Sequence, residues 1–93
     1  MKEQYWKTKE GKSIAVTDMI DSHLRNAIAF IYRGGGYLGT VTEELAVAMY
    51  DELEKRGLKI RGITRGAFID EARSREWNEQ MYANAVIMEL EGD

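Results

Sequence analysis

Apolar residues recur along this chain with two different periods, and the periods sort it into elements. In the first sixteen residues the pattern alternates around Glu10-Gly11, with Ile14 and Val16 on one face of the second arm. A glycine in the second loop position supplies the positive φ that a tight two-residue hairpin needs. Such a loop sets Tyr5 opposite Val16 on that face and turns Trp6 to the other. The period then lengthens. Ile20, Leu24, Ala27, Ile28 and Ile31 fall on one helical stripe, bordered by Met19, His23 and Phe30, and predict a helix over residues 17–33 capped by Thr17 or Asp18. Gly34-Gly35-Gly36 ends it, since three consecutive glycines lose too much backbone entropy to stay helical.

Thr40 and Glu43 have the spacing of a capping box and open a second helix, whose buried stripe is Val41, Leu45, Ala48, Met49 and Leu53. Lys55-Arg56-Gly57-Leu58 is a stop signal: cations at the negative end of the helix dipole, then a glycine for the left-handed turn, then a leucine to fold back. The alternation of Leu58 and Ile60 predicts a short third strand or an extended connector. From Ala67 to about Glu91 the chain is helical again, with a break near Ser74. Trp77, Met81, Ala85 and Met88 make one stripe there, Tyr82, Val86 and Leu90 a second, and Ala83 and Ile87 continue around the cylinder. A helix apolar over so much of its circumference has to be surrounded. Self-association through residues 77–90 is therefore predicted, with Trp77, Met81, Tyr82, Ala85 and Met88 at the interface. The expected fold is α+β and helix-rich, an N-terminal β-hairpin with three main helices, in a single domain over residues 1–93.

Composition limits what this domain can be. A chain of 93 residues buries only about 60–65% of its unfolded surface. Without cysteine or proline it has no disulfide or thiolate site to reinforce so modest a core. With 44% hydrophobic residues it is no disordered tail. Its 16 acidic and 13 basic residues are well mixed and leave a net charge of −3, which argues against nucleic acid as a partner. The N-terminus lacks the apolar core of a secretory signal, and no apolar run approaches the roughly 18–20 residues of a membrane span. The expected location is the cytoplasm, that of the host cell if a phage encodes the protein.

The lead-in and first helix carry Trp6-x-Thr8-x-x-Gly11-x-x-Ile14-x-Val16-x-Asp18-Met19-x-x-x-His23-Leu24-x-Asn26-Ala27-Ile28. This run, roughly a third of the chain, resembles the N-terminal pattern of small phage and prophage proteins of unassigned function. The resemblance implies a phage accessory protein, a class that acts by binding, either inhibiting a host factor or sequestering a defence signal.

The candidate binding residues are Arg33, Gly34, Gly35, Gly36 and Tyr37, with Arg61 and Arg65. Glycines expose backbone amides ahead of a helix start, which suits an anion; Arg33 can pair with a phosphate and Tyr37 can stack on a base. The same run also reads as a plain helix–helix connector: it lacks the lysine of a phosphate loop, and Glu43-Glu44 follow in the next turn. Arg61, Arg65, Arg73 and Arg75 crowd one segment, but Asp70, Glu71 and Glu76 lie among them. His23 reads as a packed structural histidine, because Asp18 and Asp21 do not share its side of the helix. No catalytic, cofactor or metal site is expected. The expected function is that of a phage-type, non-enzymatic binding protein in a counter-defence setting, an oligomer that sequesters a small anionic nucleotide-like ligand. The alternatives are an inhibitor of a host protein, a DNA-binding regulator and a virion assembly component.

Overall fold

The computed structural model of the chain describes residues 3–8, 10–35 and 40–91, with side chains as far as Glu79. It is α+β and helix-rich, 60% helix and 8% strand. Strands β1 (Tyr5–Lys7) and β2 (Ser13–Ala15) pair antiparallel. A 3-10 turn (Val16–Asp18) leads into α1 (Asp21–Tyr32), which is followed by α2 (Glu43–Lys55) and α3 (Arg65–Glu91).

The hairpin differs from its expectation by one residue. Thr8 and Lys12 close its loop: the Thr8 amide donates to Lys12 O at 2.7 Å, the Gly11 amide to Thr8 O at 2.9 Å, and the Lys12 amide to Thr8 Oγ1 at 3.2 Å. With Gly11 at φ 86°, this is the three-residue loop that ends in a left-handed glycine rather than the two-residue turn. The register becomes Tyr5 with Ala15 and Trp6 with Ile14. A slip of one residue exchanges the faces of a strand, so Trp6 is buried and Tyr5 is exposed. The Trp6 ring meets Phe30 of α1 edge-on, with centroids 6.5 Å apart and planes at 86°.

The chain does not enter α1 at Thr17. The 3-10 turn intervenes, Ile20 occupies the N-cap without a side-chain bond, and the Thr17 hydroxyl donates instead to Glu3 Oε1 at 2.6 Å. Ile20, expected on the buried stripe, is therefore 69% exposed, while Met19 is buried; Leu24, Ala27, Ile28 and Ile31 are buried as expected.

In α2 the cap is Thr42, not Thr40: its hydroxyl accepts from the Leu45 amide at 3.1 Å. Val41 thus precedes the helix. Val41 and Ala46, both buried, hold the two positions of a hydrophobic staple. Starting the helix there puts Leu45, Ala46, Met49 and Leu53 in the core and leaves Ala48 half-buried. The stop signal works as expected. Gly57 at φ 71° lets its amide reach Glu54 O and the Leu58 amide reach Leu53 O, and Leu58 packs against the core.

Residues 58–63 contain no strand; they form a connector pinned by Tyr50, whose hydroxyl donates to Ile63 O at 2.8 Å. Thr64 then caps α3 by accepting from the Ala67 amide at 3.2 Å. The helix runs unbroken through Ser74. Phe68 and Ala72, one turn apart, sit at zero exposure against Leu24, Ile28, Met49 and Leu53 in one core cluster.

The ion pairs set the helices' directions. Arg65 near the start of α3 pairs with Asp51 and Glu54 late in α2, while Arg73, further along α3, pairs with Glu43 at the start of α2. The two helices are therefore antiparallel. Arg56 at the end of α2 reaches Asp21 at the start of α1 at 3.0 Å, so α1 and α2 are antiparallel as well. Arg56 also donates to Glu52 at 3.0 Å and to the Thr17 carbonyl of the 3-10 turn at 3.2 Å, fastening hairpin, α1 and α2 together.

The lengths of the helices do not match. At 1.5 Å per residue, the 12 residues of α1 and 13 of α2 run about 18–20 Å, and the 27 of α3 about 40 Å. The Glu43 amide donates to Glu76 Oε2 at 2.9 Å, which places Glu76 beside the first residue of α2. Residues 77–91 continue about 22 Å beyond that rung, where neither shorter helix can accompany them. The molecule measures 54 × 27 × 25 Å accordingly.

Candidate functional site

The end of the bundle where α1 stops and α3 runs on brings together most of the groups suited to binding. Arg33 is the C-cap of α1, and its side chain is exposed. Gly34 follows at φ 98°. Its amide donates to Ile31 O at 2.9 Å and the Gly35 amide to Phe30 O at 2.8 Å, the paired bonds of a Schellman turn. At position 35 the reason for glycine is space instead: a Cβ there would lie 2.5 Å from the Phe30 ring, which would have to shift. Arg75 of α3 donates to the Gly35 carbonyl, so a cation closes the negative end of α1 from a neighbouring helix. Phe30 and Trp77 are large, exposed side chains in this part of the molecule, 51% and 62% exposed. Gly36 and Tyr37 lie outside the described residues.

The other predicted cations are placed elsewhere. Arg61 is exposed in the turn before α3, and Arg65 is four residues on. Arg65 is ten residues before Arg75 on one continuous helix, which separates them by about 15 Å. Its guanidinium is already held by Asp51 and Glu54, and those bonds, Asp51 foremost, raise its pKa. Arg73 is likewise held by Glu43, which raises its pKa. Of the seven residues predicted for the ligand, the structure thus keeps Arg33, Gly34 and Gly35 together and sets Arg61 and Arg65 at the far end of the bundle.

His23 is half-buried on α1, and the nearby Asp21 gives its carboxylate to Arg56. Among the described residues no three of His, Cys, Asp and Glu are grouped so as to hold a metal ion. Of the predicted interface, Trp77 is exposed; the side chains of Met81, Tyr82, Ala85 and Met88 lie outside those described, on the helix that projects. No helix of the described residues is long and apolar enough to cross a membrane.

Two residues matter here that the sequence pattern did not single out. Arg75 looked like one more cation in a mixed segment, and Arg56 like a C-terminal dipole partner. Their bonds to Gly35 and Asp21 join residues 40 and 35 positions apart, beyond the reach of any local pattern. Protein-family models, curated proteins and solved structures were all compared with this chain, and none matches it.

Proposed function

We propose that this protein is a non-enzymatic binding protein that works by occupancy as a homo-oligomer, joined through the projecting half of α3. One observation carries the reading: α3 outruns α1 and α2 by residues 77–91. On sequence, that stretch holds Trp77, Met81, Tyr82, Ala85, Val86, Ile87, Met88 and Leu90. An isolated helix of about 15 residues is marginal in water, and one apolar nearly all round needs a partner surface. A second copy brings the same length of the same surface, which is what an isologous interface requires.

Sedimentation across a concentration series tests this. Association at micromolar concentration, abolished when the chain is cut after Asn78, supports the reading; a monomer at that concentration overturns it.

Bound ligand or protein is assigned to the end carrying Arg33, Gly34 and Gly35. The resemblance of residues 5–33 to small phage and prophage proteins favours a counter-defence setting. A thermal-shift panel of nucleotides separates a small anionic ligand from a host protein. A ligand at a hundred times its Kd stabilises by about 2.7 kcal/mol, and a flat panel points to the protein partner.

A further inference from the structure

The arginines at the end of α1 differ from those that tie α2 to its neighbours. Arg56, Arg65 and Arg73 each face carboxylates. Arg33 and Arg75 do not: among the described residues neither forms an ion pair. Glu76, next to Arg75 in the chain, gives its carboxylate to the Glu43 amide. The acidic side chains outside the description are those of Glu89, Glu91 and Asp93. Glu89 stands about 21 Å along α3 from Arg75 and the other two follow it in the chain, so none of them reaches that guanidinium. Arg75 is half-buried all the same, a covered cation answered by a carbonyl instead of a carboxylate.

The two arginines are close in space. Arg75 Nη1 donates to the Gly35 carbonyl, and its Nη2 lies 3.9 Å from the place a Cβ on Gly34 would take. That guanidinium is therefore within about 9 Å of the Arg33 Cα, near enough for an extended Arg33 side chain to share an anion with it. A guanidinium carries five N–H donors, and one carbonyl leaves others for a ligand. Phe30 stands three residues before Arg33, on the same side of α1. The two positions are about 4.5 Å apart along the helix, a spacing that one sugar bridges. The Phe30 ring is 51% exposed, and Trp6 and Gly35 back it.

We propose that Arg75 joins Arg33 in a two-arginine clamp on the phosphate of a nucleotide, whose base stacks on Phe30. Guanidinium forks match phosphate oxygens in pairs, and a base stacks on an aromatic ring whatever its identity. The proposal rests on the reading that this end of the bundle takes an anionic ligand. It adds two residues to that reading, Phe30 and Arg75, and assigns each group its part of the ligand. It does not depend on self-association.

The test is titration calorimetry of the full chain with AMP, GMP, CMP and UMP, and with inorganic phosphate and adenosine alone. The nucleotides should bind more tightly than phosphate, adenosine should bind least, and high salt should weaken the nucleotides. Arg75→Gln, which keeps a donor for the Gly35 carbonyl, should weaken nucleotide and phosphate alike by about tenfold. Arg33→Gln, at an exposed position, should do the same and serves if Arg75→Gln lowers the thermal melt. Phe30→Leu should weaken the nucleotides about tenfold and leave phosphate unchanged, which a merely structural role would not produce. Nucleotide binding that survives either arginine variant overturns the clamp and leaves an anionic ligand standing. Equal loss of nucleotide and phosphate in Phe30→Leu overturns the stacking. No binding of any nucleotide by the parent chain overturns both the clamp and the reading beneath it.

Discussion

Along residues 65–76, α3 has neighbours on every side that is apolar: Phe68 and Ala72 reach zero exposure, and Arg65 and Arg73 tie the helix to α2. Along residues 77–91 the same helix continues with no shorter helix beside it. The first half is stabilised by its own chain; the second carries more apolar sequence and runs on beyond both shorter helices. Packing alongside α1 and α2, not helical propensity, separates the two halves, and a substitution in each should therefore report on a different process. Phe68→Ala removes the largest fully buried side chain among the described residues and should cost about 3–5 kcal/mol in denaturant unfolding. Trp77→Ala, at an exposed position, should change the unfolding of dilute protein by less than about 0.5 kcal/mol. Comparable losses at both positions would show that the overhang folds back onto the bundle.

The converse change belongs to the second half. Met81→Glu with Met88→Glu places two charges on one stripe of the overhang. It should weaken self-association at least about a hundredfold, about 2.7 kcal/mol, in sedimentation. The unfolding midpoint of dilute protein should stay that of the parent. If association persists, the interface lies elsewhere, and the contrast between the halves loses its functional meaning.

Arg56 shows how the packed region is fastened. Its side chain is 17% exposed, and the guanidinium bonds Glu52, Asp21 and the Thr17 carbonyl. The Glu52 bond raises its pKa, burial opposes in part, and Asp21 raises it further. A raised pKa means that stability from this group is complete below the unfolded value and is lost only as pH climbs through the folded one. Arginine's contribution should therefore hold to the alkaline limit of ordinary measurement. Arg56→Ala should cost about 2 kcal/mol by denaturant unfolding, because it takes the donor from the Thr17 carbonyl and from the largely covered Glu52 carboxylate at once, while the exposed Asp21 turns to water. Arg56→Lys should recover only part, since an ammonium cannot make the forked contacts.

Much of this arrangement was legible in the residues. Hairpin, three helices and the stop at Gly57 follow from local pattern. What failed was phase. The glycine at position 11 suited a two-residue or a three-residue loop equally well, and the longer one turned Trp6 inward. Ile20 fitted the stripe of α1 only if the helix began at Thr17; a 3-10 turn delayed it to Asp21. A helix that includes Val41 draws Ala48 into the stripe in place of Ala46, but α2 starts at Glu43. The candidate site was less legible than the fold. Whether an arginine is available to a ligand depends on partners far away in sequence, and Arg65 and Arg73 turned out to be held while Arg33 stands exposed.

The smallest effect concerns those held arginines. Arg65 bonds both Asp51 and Glu54, yet its side chain is 41% exposed and the two carboxylates more so. Water screens such pairs, and ordering the long side chain opposes the attraction, so exposed ion pairs contribute about 0–1 kcal/mol. Arg65→Ala should therefore cost less than about 1 kcal/mol, and the cost should shrink further in about 1 M salt, where charges are screened within about 3 Å. Phe68→Ala should be indifferent to the same salt. A large, salt-insensitive loss at Arg65 would mean that the antiparallel seating of α2 on α3 depends on the pair itself. The apolar contact of Phe68 and Ala72 would then be its consequence, and the division between a self-sufficient half and an unaccompanied one would rest on charge rather than on burial.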